Sequence, residues 1–293
     1  MLTGVAESKC PNCLKKERVR KVIDAKFSVY FCDNCLNAFT YPIPEDVEKY
    51  YFDNYWTSKK VLGKLRKHIF SLFQKRRVRW ITDNFKQGTF LDVGSGEGLF
   101  GRSLPEGFKW VGLEPPGSKV KNMNVIKRDF LKWKTKNRFD AVCFWESLEH
   151  TPYPLKYLKK AYQLVNANGK IFIEFPRYNC LESKLFGKNW FHLDLPRHLA
   201  HFTEKGITIL LKRSGFTNIK LINIASPDYS FYGFTASLLK SLRLDITDNI
   251  KKIGNLFPLI VILPVFMLSS VVEIILNLIN QSPICLASAQ KND

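Results

Sequence analysis

The chain has 293 residues and a formal net charge of +19 at pH 7, from 45 Lys and Arg against 26 Asp and Glu, with a mean hydropathy of −0.15. Its length excludes a lone small module and holds one large domain with an appended unit. A charge this high suits a phosphate backbone, an anionic membrane surface or an anionic substrate. The first residues are polar and lack the apolar stretch of a secretory signal, so a cytoplasmic, reducing setting is expected.

In chain order, the first signal is a pair of C-x-x-C knuckles, Cys10-Pro11-Asn12-Cys13 and Cys32-Asp33-Asn34-Cys35. Between them, Val19 to Val29 has strand character. Four thiolates at this spacing suit tetrahedral Zn²⁺, each knuckle wrapping half of the ion, and the arrangement resembles a zinc ribbon. A redox centre needs one such motif in a thioredoxin-like context. Aromatic and apolar residues around the knuckles (Phe27, Tyr30, Phe31, Phe39, Tyr41) point to docking on the main domain, so a structural and substrate-gating role is favoured over nucleic-acid binding. Cys143, Cys180 and Cys285 read as buried, reduced side chains on strands or their edges.

Residues 59–80 are strongly basic, and Leu62, Leu65, Ile69, Leu72 and Phe73 recur at helical spacing. This predicts a helix with its apolar face on a sheet and its basic face solvated; such a face can also rest on anionic lipid.

Next, the strand residues Thr89, Phe90, Leu91 and Val93 run into Gly94-Ser95-Gly96-Glu97-Gly98, with Asp92 two residues before the first glycine. Glycines there let the backbone turn sharply and approach a ligand. Gly96, Gly98 and Gly101 also satisfy the dinucleotide fingerprint G-x-G-x-x-G, but starting beyond the apolar end of the strand. Lys109 to Glu114 reads as a second strand whose terminal carboxylate suits ribose hydroxyls. A third short strand, Asn124 to Lys127, leads into Arg128-Asp129-Phe130. The segments Arg138 to His150 and Lys170 to Pro176 complete five strand-type landmarks.

Asp-x-Gly-x-Gly-x-Gly, followed by these landmarks in this order, resembles the class I S-adenosylmethionine (SAM) dependent methyltransferases over about residues 80–224. The resemblance implies a doubly wound α/β sheet of strand order 3-2-1-4-5-7-6 with the seventh strand antiparallel, and SAM as cofactor. It implies that Asp92, Gly94, Gly96 and Glu114 hold the cofactor, that Asp129 accepts from the adenine amino group, and that Phe130 lies near the ring.

Between strand 5 and a helix that Thr203 would cap and Gly215 would end lies Asn189 to Thr203, with three histidines, an Asp and an Arg. At the carboxyl edge of the sheet these make a substrate site. Its Pro196-Arg197-His198-Leu199-Ala200-His201-Phe202-Thr203 run resembles a segment of methyltransferases in bacterial surface-glycan and small-molecule biosynthesis. By that resemblance His198 is the first candidate for a base or substrate donor and His201 the second, with Arg197 for an anionic group. His192 and Asp194 join as substrate residues. After strand 4, Glu149 and His150 are candidates to line the methyl-transfer cavity, His150 as a further catalytic group. Each histidine has a structural alternative, as a helix cap or packed side chain. Zinc binding by this cluster is disfavoured, because no carboxylate–histidine spacing on one helix marks it.

Leu256 to Ile279 is the most apolar run, close to the roughly 20 residues of a spanning helix. Pro258, Pro264 and Glu273 oppose a simple span. Pro283 to Lys291 reads as the terminal antiparallel strand, paired beside Asn218 to Ala225, so the chain returns to the side it left and a single crossing is excluded. With the apolar helical faces of Phe231 to Leu244 and Ile250 to Ile253, residues 227–282 read as an insertion that lies on the membrane, enters it shallowly, or forms an apolar lid and oligomer contact. The expected organisation is a zinc ribbon (1–45), a SAM-binding core (46–226), the insertion (227–282) and the final strand (283–293). The expected acceptor is a sugar, a lipid-linked glycan intermediate or another small molecule at the inner membrane face. Two other classes stay open: an RNA methyltransferase, although Trp145-Glu146-Ser147-Leu148 lacks an Asn-Pro-Pro-Tyr-type motif, and a non-catalytic scaffold.

Overall fold

The computed structural model describes residues 5–45, 48–50, 74–224, 230–243 and 257–293. Two sheets organise them. The larger contains β5 (Gly88–Val93), β6 (Phe108–Glu114), β7 (Val125–Lys127), β8 (Phe139–Trp145), β9 (Val165–Pro176), β11 (Thr217–Ile224) and β12 (Ile284–Gln290), in the spatial order β11-β12-β9-β8-β5-β6-β7. From β9 to β7 all neighbours are parallel, whereas β12 runs antiparallel to both β9 and β11. Phe90, Leu91, Ala141, Val142, Cys143 and Phe144 are all buried, the near-continuous apolar composition of strands covered on both faces. The order reverses beside β5, which has β6 on one flank and β8 on the other, and an open α/β sheet binds ligands at the carboxyl ends of such a pair.

Helices cover both faces. On one side α3 (Pro154–Leu164) buries Leu155, Leu158, Ala161 and Leu164, and α5 (Glu204–Arg213) buries Ile207, Leu210 and Leu211. Both sets follow the i, i+3/i+4 spacing of an amphipathic helix. Thr203 caps α5 by accepting from the Gly206 N–H at 2.9 Å. On the other side a helix over residues 74–82, here α1, and the short α2 (Leu99–Arg102) pack Ile81 and Phe100 with Phe90, Trp145 and Phe172. The apolar positions Leu62, Leu65, Ile69, Leu72 and Phe73 lie outside the described residues.

Part of the basic face expected to be solvated is not. Arg76 and Arg77 reach the fully buried Glu174 at 3.0 and 2.7 Å, and the Arg77 guanidinium lies 5.5 Å from the Trp145 ring centroid. A buried carboxylate without its cations is costly, and neutralisation by these two holds Glu174 below the usual carboxylate range despite its burial. Replacing Arg77 by Met should therefore lower the unfolding free energy by about 2 kcal/mol at neutral pH, the remaining Arg76 limiting the loss. Urea titration reads this as a lower midpoint at unchanged slope; an unaltered midpoint would show that Arg76 alone suffices.

The smaller sheet is antiparallel, of order β1-β2-β3-β4-β10: β1 (Val5–Lys9), β2 (Lys16–Ile23), β3 (Ser28–Cys32), β4 (Ala38–Tyr41) and β10 (Ala200–His201). Its last strand belongs to the segment after β9, so the N-terminal unit is joined through a β-ladder to the main domain, with Ala200 opposite Phe39 and His201 opposite Ala38.

Between β11 and β12 the chain forms α6 (Ser230–Ser241) and α7 (Phe257–Leu278). Thr235 and Ser269 bond across them at 2.9 Å, and Glu273 turns inward, fully buried. The opposite face of α7 and the residue after it expose Met267, Leu268, Val271, Ile274, Ile275, Leu278 and Ile279. Among the described residues no helix is long and apolar enough to cross a membrane. Ile250 to Ile253 lie outside the described residues.

Candidate active site

The glycine turn after β5 is shaped for close approach. Gly94 has φ +78° and donates its N–H to the Leu113 carbonyl at 2.8 Å; a Cβ there would lie 2.5 Å from that of Ser147. Gly96 has φ +53° and faces open space, whereas Gly98 and Gly101 abut the Trp110 ring. The glycines of the dinucleotide parse thus divide: Gly96 fronts a vacant volume, and the other two let α2 pack on β6.

Asp92 is almost wholly buried, and its Oδ1 has no hydrogen-bond partner. Burial pushes its carboxyl up to about 7, opposed by the Arg77 charge and reinforced by Glu114. Glu114 ends β6, as a ribose-binding carboxylate would, and its Oε1 accepts the Gly96 N–H at 2.6 Å. Burial raises this carboxyl too, while the Gly96 N–H and the Ser118 hydroxyl hold it down. Past β7, Asp129 Oδ1 accepts from the Leu131 and Lys132 N–H groups at 2.8 and 3.1 Å and borders a cleft of about 600 Å³ with Pro116, Arg128, Lys132 and Trp133. Phe130 is buried and packs against Phe144 and Tyr157.

The second half of the site follows β8. Ser147 Oγ donates to the Val93 carbonyl at 2.6 Å, which holds the Glu146–His150 turn against the glycine turn. The loop after β9 comes back onto it: the Leu199 N–H donates to the Glu149 carbonyl at 2.8 Å. His150 and His198 then stand edge to face with ring centroids 4.7 Å apart. A carbonyl oxygen only accepts, so the Nδ1 of each ring carries the proton: His150 donates to the Arg197 carbonyl at 3.1 Å and His198 to the His192 carbonyl at 2.8 Å. Burial lowers the pKa of both rings, that of His150 to about 3. Asp194 pairs with Arg197 at 2.6 Å and lies 3.7 Å from His198 Nε2. Glu149 is 1% exposed, and burial pushes its carboxyl up to about 8.

The seven acceptor-side candidates, two after β8 and five in the loop after β9, thus separate. Glu149, His150, His198, Asp194 and Arg197 converge. His192 is buried between Trp190, Phe191 and α6, its Nε2 against Gly233. His201 faces β4, its Nε2 2.9 Å from the Thr40 hydroxyl. Since Thr40 gives its own proton to the His198 carbonyl at 2.7 Å, His201 is the donor in that pair, and burial lowers its pKa to about 3.

Three groups at this site escaped the sequence reading. Arg77 lies close enough to lower the Asp92 carboxyl, Glu174 anchors Arg77, and Glu146, at φ +52°, turns into the space beside Glu149 and Glu174. A lone Glu inside the apolar run Ile171 to Pro176 was the available signal for Glu174, because an unpaired charge is almost never buried.

The four knuckle cysteines come together where the β1–β2 and β3–β4 turns meet, all buried, with Cys10 Sγ 3.8 Å from Cys35 Sγ and Cys13 Sγ 4.0 Å from Cys32 Sγ. A tetrahedron with Zn–S bonds of about 2.3 Å has an edge of about 3.8 Å, so the donor set fits a zinc ion in type, number and spacing.

The chain is similar in fold to a SAM-dependent methyltransferase from Thermotoga maritima (14% identity over 77% of this chain and 99% of that one, TM-score 0.45). Another from Archaeoglobus fulgidus matches at 21% identity over 75% and 93%, with a TM-score of 0.48. Phosphoethanolamine N-methyltransferase 2 of Haemonchus contortus, in complex with S-adenosyl-L-methionine, matches at 15% identity over 76% and 52%, with a TM-score of 0.47. No curated protein shows significant similarity to the sequence. The model of the Methyltransferase domain family matches residues 65–221, from α1 through β11 and so across both halves of the site. With more than half of its length matched, the chain belongs to the Methyltransferase domain family and is a SAM-dependent methyltransferase.

Proposed function

We propose that the protein methylates a small hydroxyl-bearing or carbon-acid acceptor, a sugar or lipid-linked glycan intermediate, at an anionic membrane surface. The observation that carries this reading is the Glu149–His150–His198 cluster, stapled to the glycine turn through Ser147 at the switch point of the sheet.

SAM supplies a methyl group on a sulfonium centre, a displacement in which proximity and orientation contribute most. Asp92, Gly94, Gly96 and Glu114 hold it, with Asp129 and Phe130 on the adenine side. The Oδ1 of the buried Asp92 has no hydrogen-bond partner, which matches it to a cationic amino group. On the acceptor side, His198 and His150 present neutral rings whose Nδ1–H is already engaged, which orients Nε2 to take up a proton. Arg197 and Asp194 flank the acceptor; Arg197 suits an anionic group on it. The four cysteines hold a structural Zn²⁺ that fixes the N-terminal unit over this pocket. The exposed apolar face of α7, together with the chain's net positive charge, supports seating on anionic lipid.

Calorimetric titration with S-adenosylhomocysteine tests the reading, alongside Gly96→Arg. The wild type should bind in the micromolar range, and the variant at least tenfold more weakly, since an arginine at φ +53° would project into the vacant volume while adding only about 1–2 kcal/mol of backbone strain. Methyl transfer is then assayed on sugar and lipid-linked acceptors. Folded, zinc-loaded protein that binds no S-adenosylhomocysteine would sink the proposal.

A further inference from the structure

We propose that Glu149, His150 and His198 form a second metal site, for one divalent transition-metal ion, separate from the four cysteines. One ligand atom from each lies within 4.8 Å of the other two, near enough for small side-chain shifts to bring all three onto one ion. The donors come from two elements, the turn after β8 and the loop before β10, which is why no histidine spacing on one helix reveals them.

Two independent features point to a cation. The first is the outer hydrogen bonding. Both imidazoles commit Nδ1–H to a backbone carbonyl, Arg197 for His150 and His192 for His198. This fixes the tautomer with the lone pair on Nε2, the usual support of a metal-bound histidine. The second is Glu149, whose side chain is buried and whose two carboxylate oxygens make no hydrogen bond of normal geometry. A buried carboxylate requires a counter-charge or a proton.

One carboxylate and two imidazoles favour zinc, manganese, cobalt or ferrous iron over calcium or magnesium. With three protein ligands the ion keeps open positions, where an acceptor oxygen can bind and have its proton acidified. His198 then acts as a ligand in place of a base. The location is that of the proposed acceptor pocket, but metal binding is measurable without any acceptor or turnover.

Mn²⁺ is the suitable probe, because a four-thiolate site already filled with zinc does not exchange for it readily. Zinc-loaded protein is titrated with Mn²⁺ and free ion is followed by electron paramagnetic resonance. One Mn²⁺ per chain is expected, bound at least tenfold more weakly by Glu149→Gln and by His198→Ala, with Glu149→Asp retaining part of the affinity. Zinc content and S-adenosylhomocysteine binding, measured on the same samples, show that each variant is folded and keep this test separate from that of the cofactor. In the wild type, absence of both bound Mn²⁺ and a second equivalent of Zn²⁺ would overturn the site. So would Mn²⁺ binding that survives both substitutions, whereas a proton shared by Glu149 and Glu146 would account for the buried carboxylate without an ion.

Discussion

Removing the zinc proposed for the four cysteines, by a strong chelator or by Cys35→Ser, is expected to unfold the N-terminal sheet and disable the proposed acceptor half of the site while sparing the cofactor half. The sheet has few apolar side chains of its own: Val19, Val29, Ala38 and Phe39 are buried alongside the four thiols. A unit this small depends on its metal, and a four-cysteine zinc site contributes on the order of 10 kcal/mol at neutral pH. Loss of one ligand removes much of that, more than the surrounding packing can replace. The consequence extends beyond the unit because β4 is also the wall of the histidine loop. Thr40 donates to the His198 carbonyl, the Thr40 N–H bonds the Leu199 carbonyl at 3.0 Å, and Asn37 and Leu36 accept from Thr203. Without β4, His198 and His201 lose the strand that positions them. The turn carrying Asp92, Gly94 and Gly96 sits in the other sheet and has no such dependence. Hydrogen exchange should therefore show lost protection over residues 28–41 and 198–203. S-adenosylhomocysteine affinity should stay within about threefold, and methyl transfer should fall at least a hundredfold. A zinc-free protein that keeps its protection over 28–41 would show that the thiols serve packing alone.

The proposed cofactor half has the more local sequence signal. Asp92, Gly94 and Gly96 lie within five residues, and the backbone turn they need is written in the glycines themselves. The acceptor half is assembled from segments far apart in the chain. His150 follows β8, His198 precedes β10, and their meeting depends on Leu199 bonding to Glu149, a tertiary contact with no periodic signature. For the same reason the histidines could be picked out together but not sorted: burial against Gly233 gives His192 its surroundings, and the Thr40 hydroxyl gives His201 its own. Arg77 was misjudged more simply. Helical spacing shows which face of α1 is basic, but whether a buried carboxylate waits opposite is decided by β9, about 100 residues later.

Replacing Asp92 by Asn should stabilise the ligand-free protein and weaken its cofactor binding, a pair of opposite effects from one carboxylate. The side chain is buried among Arg77, Glu114 and Cys143, and the balance of these leaves its pKa raised from 3.8 to about 7. A carboxyl that is harder to ionise when folded binds more protons in the native than in the unfolded state across that window. Stability contributed by the protonated form is complete below about pH 4 and drains away as pH rises towards 7. At 1.36 kcal/mol per unit the shift corresponds to a ceiling of about 4 kcal/mol, which local relaxation and water entry reduce. At pH 8, Asp92→Asn should then unfold with about 2 kcal/mol more free energy than the wild type, seen as a melting temperature several degrees higher. Its melting temperature should also vary less between pH 5 and 8.

S-adenosylhomocysteine should behave in the reverse sense. Its ammonium group pairs with ionised Asp92 in the proposed complex, so wild-type affinity should increase from pH 6 to pH 8. The amide should bind about a hundredfold more weakly, the cost of losing a buried charge-assisted hydrogen bond. Equal affinity of the two proteins, with no pH dependence in the wild type, would place the ammonium elsewhere. Glu114, already tied to the turn through Gly96, would then be the next carboxylate to test as its receiver. If the contrast is found, Asp92 is held unpaired for its ligand, and the instability of the empty protein follows directly from the site's function.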